Sequence, residues 1–310
     1  MPFAAANKIS TGHLPGGITI SEAQYTQALA GMTSKAAPKK VSVANGFQMV
    51  APSFIEPIAL MEAITLPSLG SRNPVCTGLA RHPLGTGWLV GDDGRPVNGT
   101  TTDGGVIWYN DDFTDVIENF KAIPTLGLTS QHSIQGVCAV PGSNEFWCIG
   151  RLLPTTGNSR VLKCDATTGA VLLNVPCQNT GNGIAVVPEH GIYYTLQTTG
   201  ELTKWDMAGV YLPSIVDLNT QTTNDMLQYL GDGKMLMTYG ANLSSGYISV
   251  VDITGASPVM TKTVQLPGSN AIEGVAIHDG FIWICNDGEY HSASPALNRV
   301  LKYSLGNLLD

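Results

Sequence analysis

Ile272-Glu273-Gly274-Val275-Ala276-Ile277, then Phe281-Ile282-Trp283 and Val300-Leu301-Lys302-Tyr303, sets out a phrase that recurs along the chain: a glycine, a short apolar run, a turn and two further apolar strands. Earlier copies open with Gly78-Leu79-Ala80, Gly136-Val137-Cys138 and Gly183-Ile184-Ala185, and a weaker one with Met226-Leu227. Their second segments are Trp88-Leu89-Val90, Phe146-Trp147-Cys148, Ile192-Tyr193-Tyr194 and Met235-Leu236-Met237. The third segments are Val106-Ile107-Trp108-Tyr109, Val161-Leu162-Lys163-Cys164, Leu202-Thr203-Lys204-Trp205 and Ile248-Ser249-Val250-Val251. A period of about 40 to 60 residues with several short strands in each is the signature of a β-propeller. The expected fold is all-β, a five-bladed propeller with six blades as the alternative count, behind a small α+β amino-terminal adaptor.

The repeat also predicts how the ring closes. Three copies end in a fourth, outer strand, most clearly Thr261-Lys262-Thr263-Val264-Gln265-Leu266-Pro267-Gly268, but the last copy stops at Asp310, soon after its third strand. Met61-Glu62-Ala63-Ile64-Thr65-Leu66-Pro67-Ser68, ahead of the first copy, resembles the missing piece. Residues 57–67 are therefore expected to complete the blade begun at Ala271, pairing two strand edges that would otherwise expose unmatched backbone groups. This divides the chain into an attachment module, 1–52, and a propeller, 53–310.

Composition limits the partners. The chain has 310 residues, 43% hydrophobic and 13% charged, with 35 glycines and 18 prolines, enough to build a sizeable core with many tight turns. Sixteen basic against 24 acidic residues give a net charge of −8. No basic cluster exceeds Pro38-Lys39-Lys40, so nucleic-acid binding, which needs a cationic surface to displace counterions, is not expected. No stretch approaches the roughly 20 apolar residues that cross a bilayer, and Met1 to Lys8 lacks the basic start and apolar run of a secretory signal. The expectation is a soluble protein made in a cytosol. The six cysteines show no CxxC or Cys/His ligand spacing and read as small buried thiols.

The first fifty residues read differently. Pro15-Gly16-Gly17 breaks the chain. Ser21 with Gln24 forms a capping box that predicts a helix over 24–32, and Val41-Ser42-Val43 and Phe47-Gln48-Met49-Val50 flank the turn dipeptide Asn45-Gly46 as a hairpin. Ile18-Thr19-Ile20-Ser21-Glu22-Ala23-Gln24-Tyr25, Ala28-Leu29-Ala30-Gly31, Lys39 to Phe47 and Pro52 together resemble a short module of bacteriophage tail-fibre and tail-associated proteins. The resemblance implies attachment to other virion proteins through residues 1–52, location in the virion, and self-association of copies in the particle.

A second resemblance lies in the propeller. Ile272 to Ile277, Trp283-Ile284-Cys285-Asn286-Asp287-Gly288 and Asn298-Arg299-Val300-Leu301-Lys302-Tyr303 are similar to propellers related to SdiA-regulated proteins, esterase-like phytases and lactonases. Asn182-Gly183-Ile184-Ala185-Val186 is similar to the asparagine-glycine strand of lactonase-type propellers.

The residue before each apolar run is polar: Thr77, Gln135, Asn182, Asp225 and Glu273. Equivalent positions on the innermost strands share one level of the central channel, so these five are expected to form a ligand-binding ring. Glu273, Asp225 and Asn182 are hard oxygen donors of the kind that hold Ca²⁺. The plain alternative is a hydrated channel mouth with no ligand.

No catalytic set is read from the sequence. It lacks a GxSxG elbow, HExxH and a phosphate-binding glycine loop; its histidines fall mostly in turns by pattern, and those other than His132, which lies near the ring in sequence, read as solvent-exposed turn residues. Asp92-Asp93-Gly94-Arg95 begins like a calcium loop but lacks the alternating ligands. Asp287 and Glu289 beside His291 read as a solvated loop cluster. Loops 92–105, 151–159 and 288–298, with Trp108, Tyr290 and Arg151 nearby, would suit recognition of a bacterial surface glycan or protein. The expected role is therefore a non-enzymatic virion component that contacts the tail or the host surface. A calcium-dependent hydrolase of lactonase or phytase type is the alternative, and a passive decoration protein a third reading.

Overall fold

The computed structural model describes residues 41–42, 48–49, 58–70, 72–94, 104–121, 132–152, 159–177, 181–218, 224–240, 243–288 and 298–309. The chain divides into two units, Met1–Glu56 and Pro57–Asp310. In the first, β1 (Val41–Ser42) pairs antiparallel with β2 (Gln48–Met49), Val41 opposite Met49; the turn dipeptide Asn45-Gly46 lies outside the described residues. The helix predicted over 24–32 lies outside the described residues.

The second unit is five antiparallel sheets of four strands. Blade one comprises β4 (Cys76–Arg81), β5 (Trp88–Asp92), β6 (Gly105–Tyr109) and β7 (Val116–Lys121); blade two comprises β8 (His132–Ala139), β9 (Glu145–Leu152), β10 (Ser159–Asp165) and β11 (Val171–Cys177). Blade three is β12 (Gly181–Val187), β13 (Ile192–Gln197), β14 (Glu201–Asp206) and β15 (Tyr211–Asp217), with a single 3₁₀ turn, Pro188–His190, in its first hairpin. Blade four is β16 (Asn224–Gly231), β17 (Lys234–Tyr239), β18 (Tyr247–Asp252) and β19 (Val259–Gln265). Blade five joins β20 (Ile272–His278), β21 (Phe281–Asp287) and β22 (Asn298–Ser304) to β3 (Leu60–Thr65) from the start of the unit.

First strands touch in sequence around a ring, β4 to β8 to β12 to β16 to β20 and back to β4, which closes a five-bladed β-propeller. Strands β12 and β5 are buried along their whole length, polar Asn182 and Asp92 included, whereas most residues of the outer strand β19 are exposed or partly buried. Asp232 and Gly233 both take positive φ (50° and 67°) between β16 and β17, as do Asp279 and Gly280 (51° and 75°) between β20 and β21. That left-handed pair is the tight hairpin conformation an Asp-Gly dipeptide favours.

The core lies between blades rather than in one central mass. Trp88, Tyr109, Phe113 and Trp283 pack blade one on blade five; Leu89, Phe120, Ile134 and Phe146 pack blade one on blade two. Trp147, Tyr193 and Trp205 join blades two and three. Blade five is completed by Val300 opposite Ile64 and Leu301 opposite Ala63, and Ser304 holds Ala59 through both N–H···O=C (3.0 Å) and Oγ (2.9 Å) bonds.

Around the channel the blades approach through glycine. A Cβ added to Gly78 would lie 2.6 Å from Val137 N, to Gly136 2.4 Å from Asn182 O, to Gly183 2.8 Å from Leu227 N and to Gly274 2.5 Å from Leu79 N. Each of these contacts is backbone, so nothing soft can yield. Gly136→Ala is expected to cost about 3 kcal/mol and lower the melting temperature by roughly 6–12 °C. Gly255→Ala, with its nearest neighbour at 3.7 Å, should change it little. Differential scanning calorimetry of the two variants checks the contrast.

Candidate functional site

The five polar residues read from the repeat stand at equivalent places: Thr77 on β4, Gln135 on β8, Asn182 on β12, Asp225 on β16 and Glu273 on β20, each 5% exposed. The reason is local. In every blade the pairing of first and second strands slips at this point, between Cys76 and Gly78, Ile134 and Val137, Gly181 and Gly183, Asn224 and Leu227, and Ile272 and Gly274. A β-bulge inserts an extra residue that bends the strand and re-aims a side chain. Repeated five times, it sets one polar residue per blade on the innermost strands.

The five are not equivalent chemically. Thr77 Oγ1 donates across the seam to Ile134 O (2.7 Å), and Gln135 Nε2 donates to Ser133 Oγ (2.9 Å). Asn182 Nδ2 donates to Asp225 Oδ1 (3.0 Å), a bond that suits a carboxylate and fixes which end of the amide is nitrogen. Glu273 is held well above the usual carboxylate range, first by burial and then by the charges of Asp225, Asp287, Cys285 and Asp93. All these influences act in the same direction.

Asp93 and Asp287, which the sequence reading left in loops, belong with this group. Asp93 comes just after β5 and Asp287 is the last residue of β21, and the two are equivalent by pairing: Asp92 is opposite Cys76 and Asn286 opposite Ile272, and the next residue donates its N–H to Val75 O (2.9 Å) or Ala271 O (3.2 Å). Their equivalence at the ends of Val90-Gly91-Asp92-Asp93 and Cys285-Asn286-Asp287 was the available signal. Asp92, by contrast, serves the frame. Its carboxylate holds Arg72 (2.6 and 3.1 Å), Val75 N (2.9 Å) and Gly94 N (3.2 Å), and although burial raises its pKa, these partners favour the charged form.

Other expectations change. His82 is a buried residue, not an exposed turn histidine: it stacks on Trp108 at 4.0 Å, faces Ala166 O through Nε2 at 3.0 Å and has its pKa lowered by burial. Trp108, half-buried, donates Nε1–H to Thr86 O (2.8 Å) and packs against the core between blades one and two. Tyr290, Glu289, His291 and most of the three long loops lie outside the described residues, as do the side chains of His132 and Arg151. All six cysteines are buried thiols. Among the described residues no three His, Cys, Asp or Glu side chains form a group able to hold a metal. Among the same residues no helix is long and apolar enough to cross a membrane.

The fold and this ring define a five-bladed propeller with an acidic channel site. No family model and no curated protein matches the chain, so the two resemblances read from its sequence gain no support from that side. Among solved structures it is similar to the glutaminyl cyclase of Myxococcus xanthus, with 11% identity over 82% of this chain and 97% of that one and a TM-score of 0.57. It is also similar to a putative exo-β-1,3-galactanase from Bifidobacterium bifidum s17, with 14% identity over 77% and 91% of the two chains and a TM-score of 0.50. At these identities the likeness shows the fold. Both neighbours are enzymes by name, and this overturns the expectation of a non-enzymatic chain.

Proposed function

We propose that the protein is a propeller hydrolase whose reacting groups are two ring carboxyls. Glu273, protonated, is the general acid that delivers a proton to the leaving oxygen; Asp225, held by Asn182, is the base that activates water. One observation carries this reading: Glu273 is buried beside other acids, and burial and their charges hold its carboxyl well above the usual range, while its neighbour Asp225 receives an N–H bond. Carboxyls driven apart in this way divide the acid and base roles between them. An acidic mouth disfavours phosphate esters and favours neutral or cationic hydroxyl-rich substrates, of which a bacterial surface glycan is the proposed one.

The pattern of Ile18 to Tyr25 and Lys39 to Phe47, with the pairing of β1 and β2, supports a second part of the proposal. Residues 1–52 attach the chain to other virion proteins of a tailed phage, and the propeller is the part that meets the host surface.

The test incubates the full chain with aryl glycosides, isolated bacterial surface polysaccharide, lactones and phosphate esters, with and without millimolar Ca²⁺. Glycan cleavage without added metal supports the reading. Turnover confined to lactones or phosphate esters with Ca²⁺ returns the site to the calcium-dependent alternative, and no turnover at all removes the hydrolase. Mass spectrometry of particles of the phage that encodes the chain tests the attachment role; its absence from them ends that part.

A further inference from the structure

Away from the ring, a cavity of about 310 Å³ opens beside the outermost strand of blade one, lined by Leu69, Gly70, Arg72, Asn119 and Lys121. The fold explains why these residues meet. Asn119 and Lys121 are two apart on β7 and share a face of the strand, while Phe120 between them turns the other way, into the core between blades one and two. The other wall is the segment that leads from β3 to β4. There Leu69 donates its N–H to Arg72 O (2.7 Å), Gly70 takes a φ of 67°, and a Cβ on Gly70 would meet nothing within 4 Å.

The cavity lies at the ring's end of the blade. Lys121 is opposite Gly105, Gly105 opposite Asp92 and Asp92 opposite Cys76, the residue before Thr77. Three strand spacings put Lys121 about 14 Å outward from the innermost strand.

Three side chains give the cavity its chemistry. Arg72 is a fixed wall, because its guanidinium holds the buried Asp92 through two bonds (2.6 and 3.1 Å) that also balance its charge. Lys121 is exposed and adds a positive charge that no carboxylate among the described residues meets. Asn119 Oδ1 is buried and has no hydrogen-bond partner among the described residues, and such an acceptor is costly to leave without a donor. A ligand that suits both brings an anionic group for the ammonium and a hydroxyl for the amide oxygen. A sugar acid carries the two on one ring.

We infer that this cavity is a subsite for a uronic-acid residue of a glycan, its carboxylate taken by the Lys121 ammonium and a sugar hydroxyl donating to Asn119 Oδ1. The inference rests on the proposed hydrolase for a glycan that also reaches the ring, and on the cavity alone for the acidic sugar. It narrows the substrate to an acidic surface polysaccharide that places a neutral residue at the ring, where Asp225 repels a second carboxylate.

Isothermal titration of the full chain at low salt with D-glucuronate, D-glucose and inorganic phosphate tests it. D-Glucuronate is expected to bind about fivefold more tightly than D-glucose, the scale of one exposed ion pair, and more tightly than phosphate, which offers Asn119 no sugar hydroxyl. Lys121→Gln should erase the preference over glucose, and Asn119→Ala should weaken both sugars alike. If a variant does not fold, the comparison among the three ligands on the unaltered chain still decides. Equal binding of the two sugars, no binding of any ligand, phosphate binding as tight as glucuronate, a preference that survives Lys121→Gln, or unchanged binding in Asn119→Ala overturns the subsite. Glu273-dependent glycan cleavage without a glucuronate preference overturns the subsite and leaves the hydrolase; a Lys121-dependent glucuronate preference without any cleavage does the reverse.

Discussion

Glu273→Gln is expected to lower kcat on the cleaved glycan by about 10²- to 10⁴-fold, the usual contribution of a positioned general acid. Glutamine keeps the shape and burial of the side chain but has no proton to give to a leaving oxygen. KM should change little, because the lost interaction is made in the transition state. Asp225→Asn should fall by a similar factor, and the double variant by much less than the product, since the two act as a unit. The same substitution should stabilise the fold at neutral pH. A carboxyl whose folded pKa is raised contributes stability that is complete below its unfolded value, near 4.5, and is lost as pH rises through the folded value. Glutamine removes that loss. A variant that loses activity while its melting temperature rises cannot be dismissed as misfolded. Full activity in Glu273→Gln would take the acid role away from this residue.

Removing residues 1–68 is expected to abolish soluble folded protein, whereas removing residues 1–56 leaves the propeller intact. The longer deletion takes away β3 and leaves β22 with the backbone groups of Arg299 to Tyr303 unpaired along one edge. It also removes Ile64 and Leu66 from the packing of blades one and five, where Trp88 and Trp283 lie. An open, largely apolar strand edge recruits other chains. Gel filtration and thermal unfolding of the two products make the comparison, and a monomeric, cooperatively unfolding 69–310 chain would contradict the role given to β3.

The architecture was legible because its signals repeat. Five glycine-led or equivalent apolar runs predict five blades, and a last copy one strand short predicts that a strand arrives from elsewhere. Even the weak copy is informative: Met226, fully buried, occupies the place that glycine takes in the other four, which is why its blade reads less clearly in the sequence. The ring was legible as five aligned positions but not as a geometry, because a bulge is a relation between two strands and leaves no mark on one strand read alone. The same limit hid Asp93 and Asp287. By linear pattern they sit in loops, and only the pairing of Asp92 with Cys76 and Asn286 with Ile272 carries them to the channel side. His82 failed for a related reason, since a turn pattern says nothing of the indole that stacks on it. Function was the least legible layer, because the carboxyls gain their character from burial and from one another rather than from any local motif.

The most direct test is a ¹³C NMR titration of the glutamate side-chain carboxyls in the unaltered chain and in Glu273→Gln, which assigns the Glu273 resonance by its disappearance. The Glu273 carboxyl is expected to titrate well above the ordinary glutamate range, and to move down when Asp225→Asn removes the second of the influences that hold it up. A Glu273 carboxyl that titrates near 4.5 and does not respond to Asp225→Asn would contradict the acid–base pair on which the account stands.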